Sequence, residues 1–203
     1  RVSRNRRFSV ASGSLEEFRA IRARYDCDIN DVVLAMVAGA LRNWLLSRGE
    51  PVTTSTTVRA MAPMSVYPDA EIESTGPGQA ISEVAPFLVD LPVGEANPVV
   101  RLSQIAHATE SHPTATSLVD ARTIVTLSGF APPTLHAMGI RVATSFSARL
   151  FNLLITNVPG AQKQMYVAGT KLLETYAVPP LLHNQALAIG VTSYNGTLYF
   201  GIN

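Results

Sequence analysis

The sequence has little charge, a single cysteine and no apolar run of membrane-spanning length. Only 15% of its 203 residues are charged and 47% are hydrophobic, so a disordered chain is excluded and a large core is expected. The formal net charge of +1 gives no reason to expect nucleic acid as a partner. The lone Cys27 excludes an internal disulfide and a metal site built from several cysteines. Because no apolar run approaches roughly 20 residues, no spanning helix is expected.

The common catalytic motifs are missing as well. There is no G-x-S-x-G nucleophile elbow, no P-loop, no dinucleotide fingerprint and no H-E-x-x-H metal motif. The four histidines are His107, His112, His136 and His183. None lies close to the cysteine in sequence, and a histidine in a predicted helix is more typical of a satisfied or exposed side chain than of a catalyst. The chain taken alone therefore offers no convincing general base and no metal site.

What is present is a series of strand and helix signals along the chain. Ser14 and Glu17 have the spacing of a capping box, which predicts a helix start at Ser14. Asp28 and Asn97 each precede a helical pattern, so both are predicted N-caps. Proline followed by glycine at Pro159-Gly160 meets the requirement of a type II turn. The predicted strands are 7–12, 53–66, 85–92 at a sheet edge, and 151–157. Five helices are predicted: one that begins at 14, then 28 to about 47, about 98 to 110, 118–127 and 132–150.

The end of the chain predicts a β-hairpin. Asn195-Gly196 separates two alternating runs and favours a two-residue type I′ turn. In that register Val191 faces Phe200, and Gly190 lies opposite Gly201 on the other face of the two strands. The paired glycines leave a strip of bare backbone that a helix or a ligand could approach closely, and a helix is the favoured occupant.

The most informative segment is the uncharged run from Val32 to Leu41, which opens on the polar pair Asn30-Asp31. A helix that is apolar on nearly every side is typical of a protein core. Its polar first turn has two explanations. Asn and Asp cap helix starts, and they also provide an amide and a carboxylate that could serve a functional site. Taken alone, these residues favour capping.

Four segments carry a resemblance that covers the whole chain. They are 30–35 (NDVVLA), 89–95 (VDLPVGE), 157–160 (NVPG) and 190–201 (GVTSYNGTLYFG). In this order they resemble the C-terminal half of the bacterial bifunctional wax ester synthase/acyl-CoA:diacylglycerol acyltransferase family, in its mycobacterial triacylglycerol synthase branch. Each segment is weak by itself, and four in register form a specific match.

The resemblance implies an α/β fold like that of chloramphenicol acetyltransferase, with a mixed sheet flanked by helices, as one of two similar halves that meet at a central tunnel. Residues 1–203 are then the C-terminal domain of a two-domain acyltransferase. We expect a longer polypeptide because the chain starts at Arg1 within a basic, strand-like stretch. Family members transfer a fatty acyl group from acyl-CoA to the hydroxyl of a diacylglycerol or a long-chain alcohol. Their catalytic histidine belongs to an H-H-x-x-x-D-G motif of the N-terminal half, which is absent from this sequence.

The resemblance also implies roles for particular residues. No catalytic residue is expected in this chain, but the Asn-Asp motif would support the site from across the interface. The supporting residues are Asn30 and Asp31; the residues expected at the substrate and CoA tunnel are Asn157, Pro159, Gly160, Ser193, Gly190 and Gly201. Two departures weaken the transfer of ligand contacts. A positive charge common in the family is missing from 63–67 (PMSVY), and 76–78 (GPG) replaces a Gly-Asn.

The partners implied are the N-terminal half of the same polypeptide, acyl-CoA, and a diacylglycerol or a long-chain alcohol. No cofactor is expected, since acyl-CoA is a substrate, and no metal. The expected location is cytoplasmic, peripheral to the inner membrane face or to lipid droplets, without nucleic acid. The alternative is a catalytically silent lipid-binding or lipid-droplet surface module. A related enzyme that acylates a non-lipid acceptor such as a polyketide alcohol is a third hypothesis.

Overall fold

A computed structural model describes residues 5–65, 84–111, 151–181 and 185–203, with the backbone alone described at 63–65 and 84–86. Several predictions fall outside these ranges. They concern the glycine-rich turn at 76–78, the helices at 118–127 and 132–150, the end of the pattern at 63–67, and the histidines His112, His136 and His183.

Six strands form one mixed sheet in the order β1-β8-β7-β4-β2-β3. Strands β2, β4 and β7 run parallel, while the β1–β8, β7–β8 and β2–β3 pairs are antiparallel. Strand β3 contains a proline and lies at an edge, as predicted, because an edge position tolerates a missing N–H donor. A separate two-stranded sheet pairs β5 with β6. The strands are β1 Ser9–Ser14, β2 Val58–Ser65, β3 Val84–Leu91, β4 Leu153–Val158, β5 Tyr166–Val167, β6 Thr170–Lys171, β7 Ala188–Tyr194 and β8 Thr197–Ile202.

The β7–β8 hairpin confirms the predicted turn and register. Asn195 and Gly196 both have positive φ angles, 46° and 81°, as a type I′ turn requires. Val191 pairs with Phe200, and Gly190 pairs with Gly201. The two-residue turn therefore fixes which side chains of both strands face the core.

Three helices are described: α1 Leu15–Tyr25, α2 Ile29–Ser47 and α3 Pro98–Glu110. The predicted N-cap of α3 is confirmed, because Asn97 Oδ1 accepts a hydrogen bond from the backbone N–H of Val99 at 2.9 Å. The predicted capping box of α1 is wrong. The helix begins after Ser14, as predicted, but the Ser14 side chain makes no capping bond. The Leu15 N–H donates to the Gly196 carbonyl of the β7–β8 turn, at 3.0 Å.

Helix α2 is the central core helix. Its inward side packs with α1, α3 and the sheet in one cluster, to which Val33 and Leu34 contribute fully buried side chains. By length and composition alone, α2 could cross a membrane, so the expectation that no segment has spanning length is wrong on that measure. The burial of its inner side is instead typical of the core helix of a globular domain.

Two arginines hold the loop after β3, within the segment 89–95. From α2, the Arg42 guanidinium donates to the carbonyls of Val93 and Gly94, at 3.1 and 2.8 Å. Gly94 also donates its N–H to the Thr56 carbonyl at 2.8 Å, and a Cβ there would overlap the backbone of Thr53. This loop therefore needs glycine for close packing, and the 89–95 motif has a structural explanation.

The second arginine, Arg101 of α3, lies buried between the helices. Its Nε donates to the Ala35 carbonyl at 3.0 Å, and its Nη1 donates to the Glu95 carbonyl at 2.8 Å. The guanidinium occupies the space that a side chain at Gly39 would need. Gly39 therefore allows α2 and α3 to approach closely.

Candidate functional site

The start of α2 places Asn30 and Asp31 within its first turn. Asp28 is the N-cap residue, as predicted, with an extended backbone at φ −86° and ψ 155°. Asp31 reaches back to this residue, and its Oδ2 accepts the Asp28 backbone N–H at 2.9 Å. This bond is one half of a capping box and satisfies a donor that the helix leaves free.

Asp31 also ties α2 to the end of α3. The residue is only 4% exposed, and its Oδ1 accepts a hydrogen bond from the Thr109 hydroxyl at 2.8 Å. That hydroxyl also lies close to two carbonyls of its own helix, but a charge-assisted bond to a carboxylate is the stronger one. Both oxygens of Asp31 are therefore engaged in structural bonds. The capping explanation holds for this residue.

Asn30 differs from its neighbour in the state of its amide nitrogen. The Asn30 side chain is half-buried, and its Nδ2 is buried without a hydrogen-bond partner among the residues that the structure describes. A buried amide left unpaired costs about 1–3 kcal/mol, so such groups have a partner in nearly all native proteins. Of the two predicted supporting residues, Asn30 is the one free to bind something outside the described residues.

A groove of about 710 Å³ opens between α1, the start of α2 and the end of α3. Most of its lining is polar, with both signs of charge, which does not suit an acyl chain. Cys27 also lines it, and burial together with the carboxylates of Asp31 and Asp28 raises the pKa of this thiol. Cys27 therefore stays protonated and is not an activated nucleophile. The charged residues around the groove are Arg19, Arg22, Asp26, Asp28, Asp31 and Glu110.

A second cluster brings Ser193 of β7 together with Gly160, the residue at the end of the Asn-x-Pro-Gly motif. The buried Ser193 Oγ accepts the Gly160 N–H at 3.1 Å and the Gln162 Nε2 at 2.8 Å. Asn157 precedes this turn on β4 and pairs with Val191 of β7. The motif thus follows the carboxyl end of a parallel strand, where α/β sheets bind their ligands.

The predicted type II turn at Pro159-Gly160 is wrong. Gly160 does not have the positive φ angle that this turn requires. A Cβ at Gly160 would instead overlap the Ser193 carbonyl oxygen, so the glycine is required by close packing against β7. Sequence reasoning also missed Gln162, which bridges Gly160 and Ser193 and accepts the Gly196 N–H at 3.2 Å. No local pattern reveals its contacts with Ser193 and Gly196, which lie more than thirty positions away.

The β5–β6 hairpin is attached to the same edge of the sheet by Tyr194. The buried Tyr194 hydroxyl accepts bonds from the Met165 N–H at 2.9 Å and the Gln164 Nε2 at 2.7 Å. It donates to the Leu172 carbonyl at 3.0 Å. One phenol thus anchors a hairpin too short to be stable by itself.

The glycine strip of β7 and β8 is covered by the chain's own loop. A Cβ at Gly201 would overlap the Ala177 carbonyl oxygen, and a Cβ at Gly190 would lie 2.8 Å from the Ala177 Cβ and 2.9 Å from the Pro179 Cδ. The covering segment has no helical structure, so the favoured helix is wrong. The loop leaves no room for a ligand on the strip, so the tunnel role of Gly190 and Gly201 rests on the resemblance alone.

The predicted site residues thus form separate groups with different neighbours. Asp31 contacts α3, Ser193 contacts the turn after β4, and the glycine strip contacts the loop at 177–179. Within the described ranges, no group of three or more His, Cys, Asp or Glu residues could hold a metal ion. His107 belongs to the last turn of α3.

The chain matches two family models that describe a single kind of protein. Residues 83–203 match the C-terminal domain of wax ester synthase/diacylglycerol acyltransferases, and residues 1–33 match the catalytic domain of the same enzymes. The first match covers more than half of the sequence. Strands from the two matched ranges lie in one sheet, since β1 pairs with β8.

Curated relatives agree with these models. A Mycobacterium tuberculosis protein named as a candidate diacylglycerol O-acyltransferase is 35% identical over 99% of this chain and 39% of its own length. The O-acyltransferase WSD of Acinetobacter baylyi is 31% identical over 100% of this chain and 42% of its own length. The chain therefore spans about two fifths of the length of these relatives.

Solved structures share the fold. The wax ester synthase/diacylglycerol acyltransferase of Marinobacter aquaeolei VT8 superposes with a TM-score of 0.67 at 27% identity, over 97% of this chain and 42% of the other. A nonribosomal peptide synthetase, FmoA3, superposes with a TM-score of 0.55 at 15% identity over 99% of this chain and 19% of the other, which shows the fold alone. The predicted fold class, a mixed sheet flanked by helices as in the chloramphenicol acetyltransferase-like folds, is confirmed.

Proposed function

Because this chain belongs to the wax ester synthase/diacylglycerol acyltransferase family, we propose that the polypeptide carrying it is an acyl-CoA-dependent O-acyltransferase. The acceptor is a diacylglycerol, a long-chain alcohol or both, and the products are triacylglycerol and wax esters. The match of residues 83–203 to the C-terminal domain of this family carries the proposal. The chain supplies one half of the substrate tunnel, and residues 1–203 act as the C-terminal domain of a two-domain enzyme. No cofactor is needed, since acyl-CoA is consumed as a substrate.

The reaction is a direct transfer between two substrates. A general base on the N-terminal half removes the proton of the acceptor hydroxyl, and that oxygen attacks the thioester carbonyl carbon. A C–O bond forms as the C–S bond breaks, and CoA leaves as a thiolate that takes up a proton. No covalent intermediate with the enzyme is required. The N-terminal half of the same polypeptide is therefore the obligatory partner of this chain.

Asn30 is the residue of this chain that we assign to support of the reaction. Its Nδ2 is buried and unpaired among the described residues, whereas the neighbouring Asp31 is fully engaged. An amide N–H is suited to donate to the thioester carbonyl or to a polar group beside it, and the charge on that oxygen grows during attack. The fixed first turn of α2 would hold the donor in place.

The turn after β4 is the second element that we assign to the tunnel. Asn157, Pro159 and Gly160 lie at or just beyond the carboxyl end of a parallel strand, and Ser193 holds the turn against β7. Ser193 therefore has a positioning role, since its hydroxyl is occupied by Gly160 and Gln162.

The function is tested with the full-length protein. Palmitoyl-CoA is supplied with either a diacylglycerol or hexadecanol, and released CoA is measured with a thiol reagent while the lipid product is identified by mass spectrometry. We expect CoA release that depends on the acceptor. A protein that releases no CoA with either acceptor, while a known acyltransferase does so in parallel, would contradict the proposal.

The role of Asn30 is tested by Asn30→Ala, with Asn43→Ala on the exposed side of the same helix as the matched control. Loss of one preorganised donor lowers kcat about 10²–10³-fold in the best-studied oxyanion sites, and we expect a loss of at least about ten-fold here. The midpoint of urea unfolding should fall by little, because the amide nitrogen makes no bond within the described residues. Equal activity of the two variants would return Asn30 to a purely structural role.

The competing function is a catalytically silent lipid-binding module, and the uncharged outer side of α2 is the observation in its favour. Replacement of both histidines of the H-H-x-x-x-D-G motif in the upstream sequence would support it. In either case we place the protein in the cytoplasm, peripheral to the inner membrane face or to lipid droplets, because the substrates or ligands are insoluble lipids.

A further inference from the structure

The outward side of α2 carries no charged residue and presents a row of apolar side chains. Met36, Ala40 and Trp44 follow one another at four-residue spacing, so they form a stripe about 12 Å long on one side of the helix. All three are exposed, with Met36 at 41% and Trp44 at 55%. A surface helix ordinarily carries charged residues on this side. The stripe is therefore an apolar surface that no element within the described ranges covers.

The two charged residues within α2 do not reach this stripe. Asp31 is buried against Thr109, and Arg42 donates to the carbonyls of the loop after β3. The other residues of the outer side are Asn43 and Ser47, which are polar and neutral. The whole outer side can therefore enter an apolar phase without desolvating an ion.

A cation lies at the end of the stripe, next to its aromatic ring. The Arg48 guanidinium carbon lies 5.5 Å from the centroid of the Trp44 ring. Tryptophan favours the interface between lipid and water, because its ring is apolar and its N–H can bond to headgroups. Arginine matches the charge and geometry of a phosphate. The pair combines an apolar anchor with a group complementary to an anionic headgroup.

We infer that the outer side of α2, defined by Met36, Ala40 and Trp44 with Arg48 at its end, binds a phospholipid surface with anionic headgroups. The helix would lie in the plane of the interface, with Trp44 at the headgroup level and Arg48 against a phosphate. This inference rests on the proposed function, in which both acceptor and product are apolar lipids.

The first test measures binding of the full-length protein to vesicles made from equal parts of phosphatidylcholine and phosphatidylglycerol, by co-sedimentation. Trp44→Ser should lower the partition coefficient at least about ten-fold, since roughly 100 Å² of apolar contact is lost. Tyr25→Ser is the matched control, because Tyr25 is an exposed aromatic residue on α1. Arg48→Gln should weaken binding to these vesicles but not to pure phosphatidylcholine, whereas the control Arg24→Gln should change neither. Equal partitioning of the Trp44 and Tyr25 variants would overturn the inference.

The second test identifies what covers the stripe and does not depend on catalysis. The fluorescence of Trp44 is obtained by subtracting the emission of the Trp44→Phe variant from the emission of the wild-type protein. Vesicles that contain brominated phosphatidylcholine should quench this difference signal. Three outcomes would overturn the inference. Trp44 emission that is already blue-shifted without vesicles would indicate cover by the N-terminal half, and a blue shift that depends on protein concentration alone would indicate a second copy. Trp44 emission that the brominated vesicles leave unquenched would show that the side chain does not enter the lipid.

Discussion

Replacing Gly201 by alanine should destabilise the fold strongly while leaving substrate binding intact. The new methyl group would overlap the Ala177 carbonyl oxygen, so the covering loop must move away from β8. That movement would break two bonds of the loop, from the Tyr199 hydroxyl to the Leu173 carbonyl at 3.3 Å and from Asn203 Nδ2 to the Pro179 carbonyl at 3.1 Å. Overpacking and two lost hydrogen bonds together cost about 3 kcal/mol.

The measurement is urea unfolding followed by circular dichroism, combined with KM for palmitoyl-CoA. Gly49→Ala is the control, because Gly49 has a positive φ of 74° but an added Cβ there would meet no atom within 4 Å. Backbone strain alone should cost that variant about 1 kcal/mol. Gly190→Ala should fall between the two, since its neighbours at 2.8–2.9 Å need to move less. A raised KM with unchanged unfolding for Gly201→Ala would refute the packing explanation and restore the strip to the tunnel.

Three further outcomes follow from the described contacts. Asp31→Ala should lower the free energy of unfolding by about 2 kcal/mol. A double-mutant cycle with Thr109→Val should reveal coupling between the two side chains, and additive effects would contradict the 2.8 Å bond. The hydrogen bond from Arg59 lowers the pKa of Asp90, so this exposed pair stabilises the fold slightly above the ordinary carboxyl pKa and loses this contribution as pH falls. The stability gap between wild type and Asp90→Asn should therefore close in acid, and a constant gap would argue against the pair. Because burial raises the pKa of Cys27, iodoacetamide at mildly alkaline pH should alkylate it more slowly than a free thiol, and an equal rate would show that the thiol is not shielded.

Local signals predicted the elements of this fold well. Asn97-Pro98 predicted the start of α3, because the Asn97 side chain accepts hydrogen bonds from the nearby backbone N–H groups of Val99 and Val100. Asn195-Gly196 fixed the hairpin because both residues accept positive φ angles. In each case the residues that determine the structure are neighbours in sequence.

The errors arose where distant residues provide the deciding contact. The Ser14 side chain makes no capping bond, and one N–H of the helix start, that of Leu15, is satisfied by the Gly196 carbonyl near the far end of the chain. Gly160 is needed for contact with Ser193 rather than for a turn angle. A one-dimensional pattern contains no information about which strand or loop lies opposite such a residue.

The candidate site was only partly predictable for the same reason. The Asn30-Asp31 pair could be located from its polar character, but its division into one engaged and one unpaired residue depends on Thr109, which lies in another helix. Gln162 gave no signal at all, since its contacts involve residues brought close by the β4–β7 pairing.

The three attachments of α2 have a mechanical consequence. The helix is fixed near its start by Asp31, in its middle by the Arg101 bond to Ala35, and toward its end by Arg42. The first and last of these are about 16 Å apart along the helix axis. Any sliding or rotation of α2 would break these three sets of hydrogen bonds together, so we expect the helix to keep a fixed position in the domain. In the proposed acyltransferase, acceptors of different size would therefore be accommodated by elements other than α2.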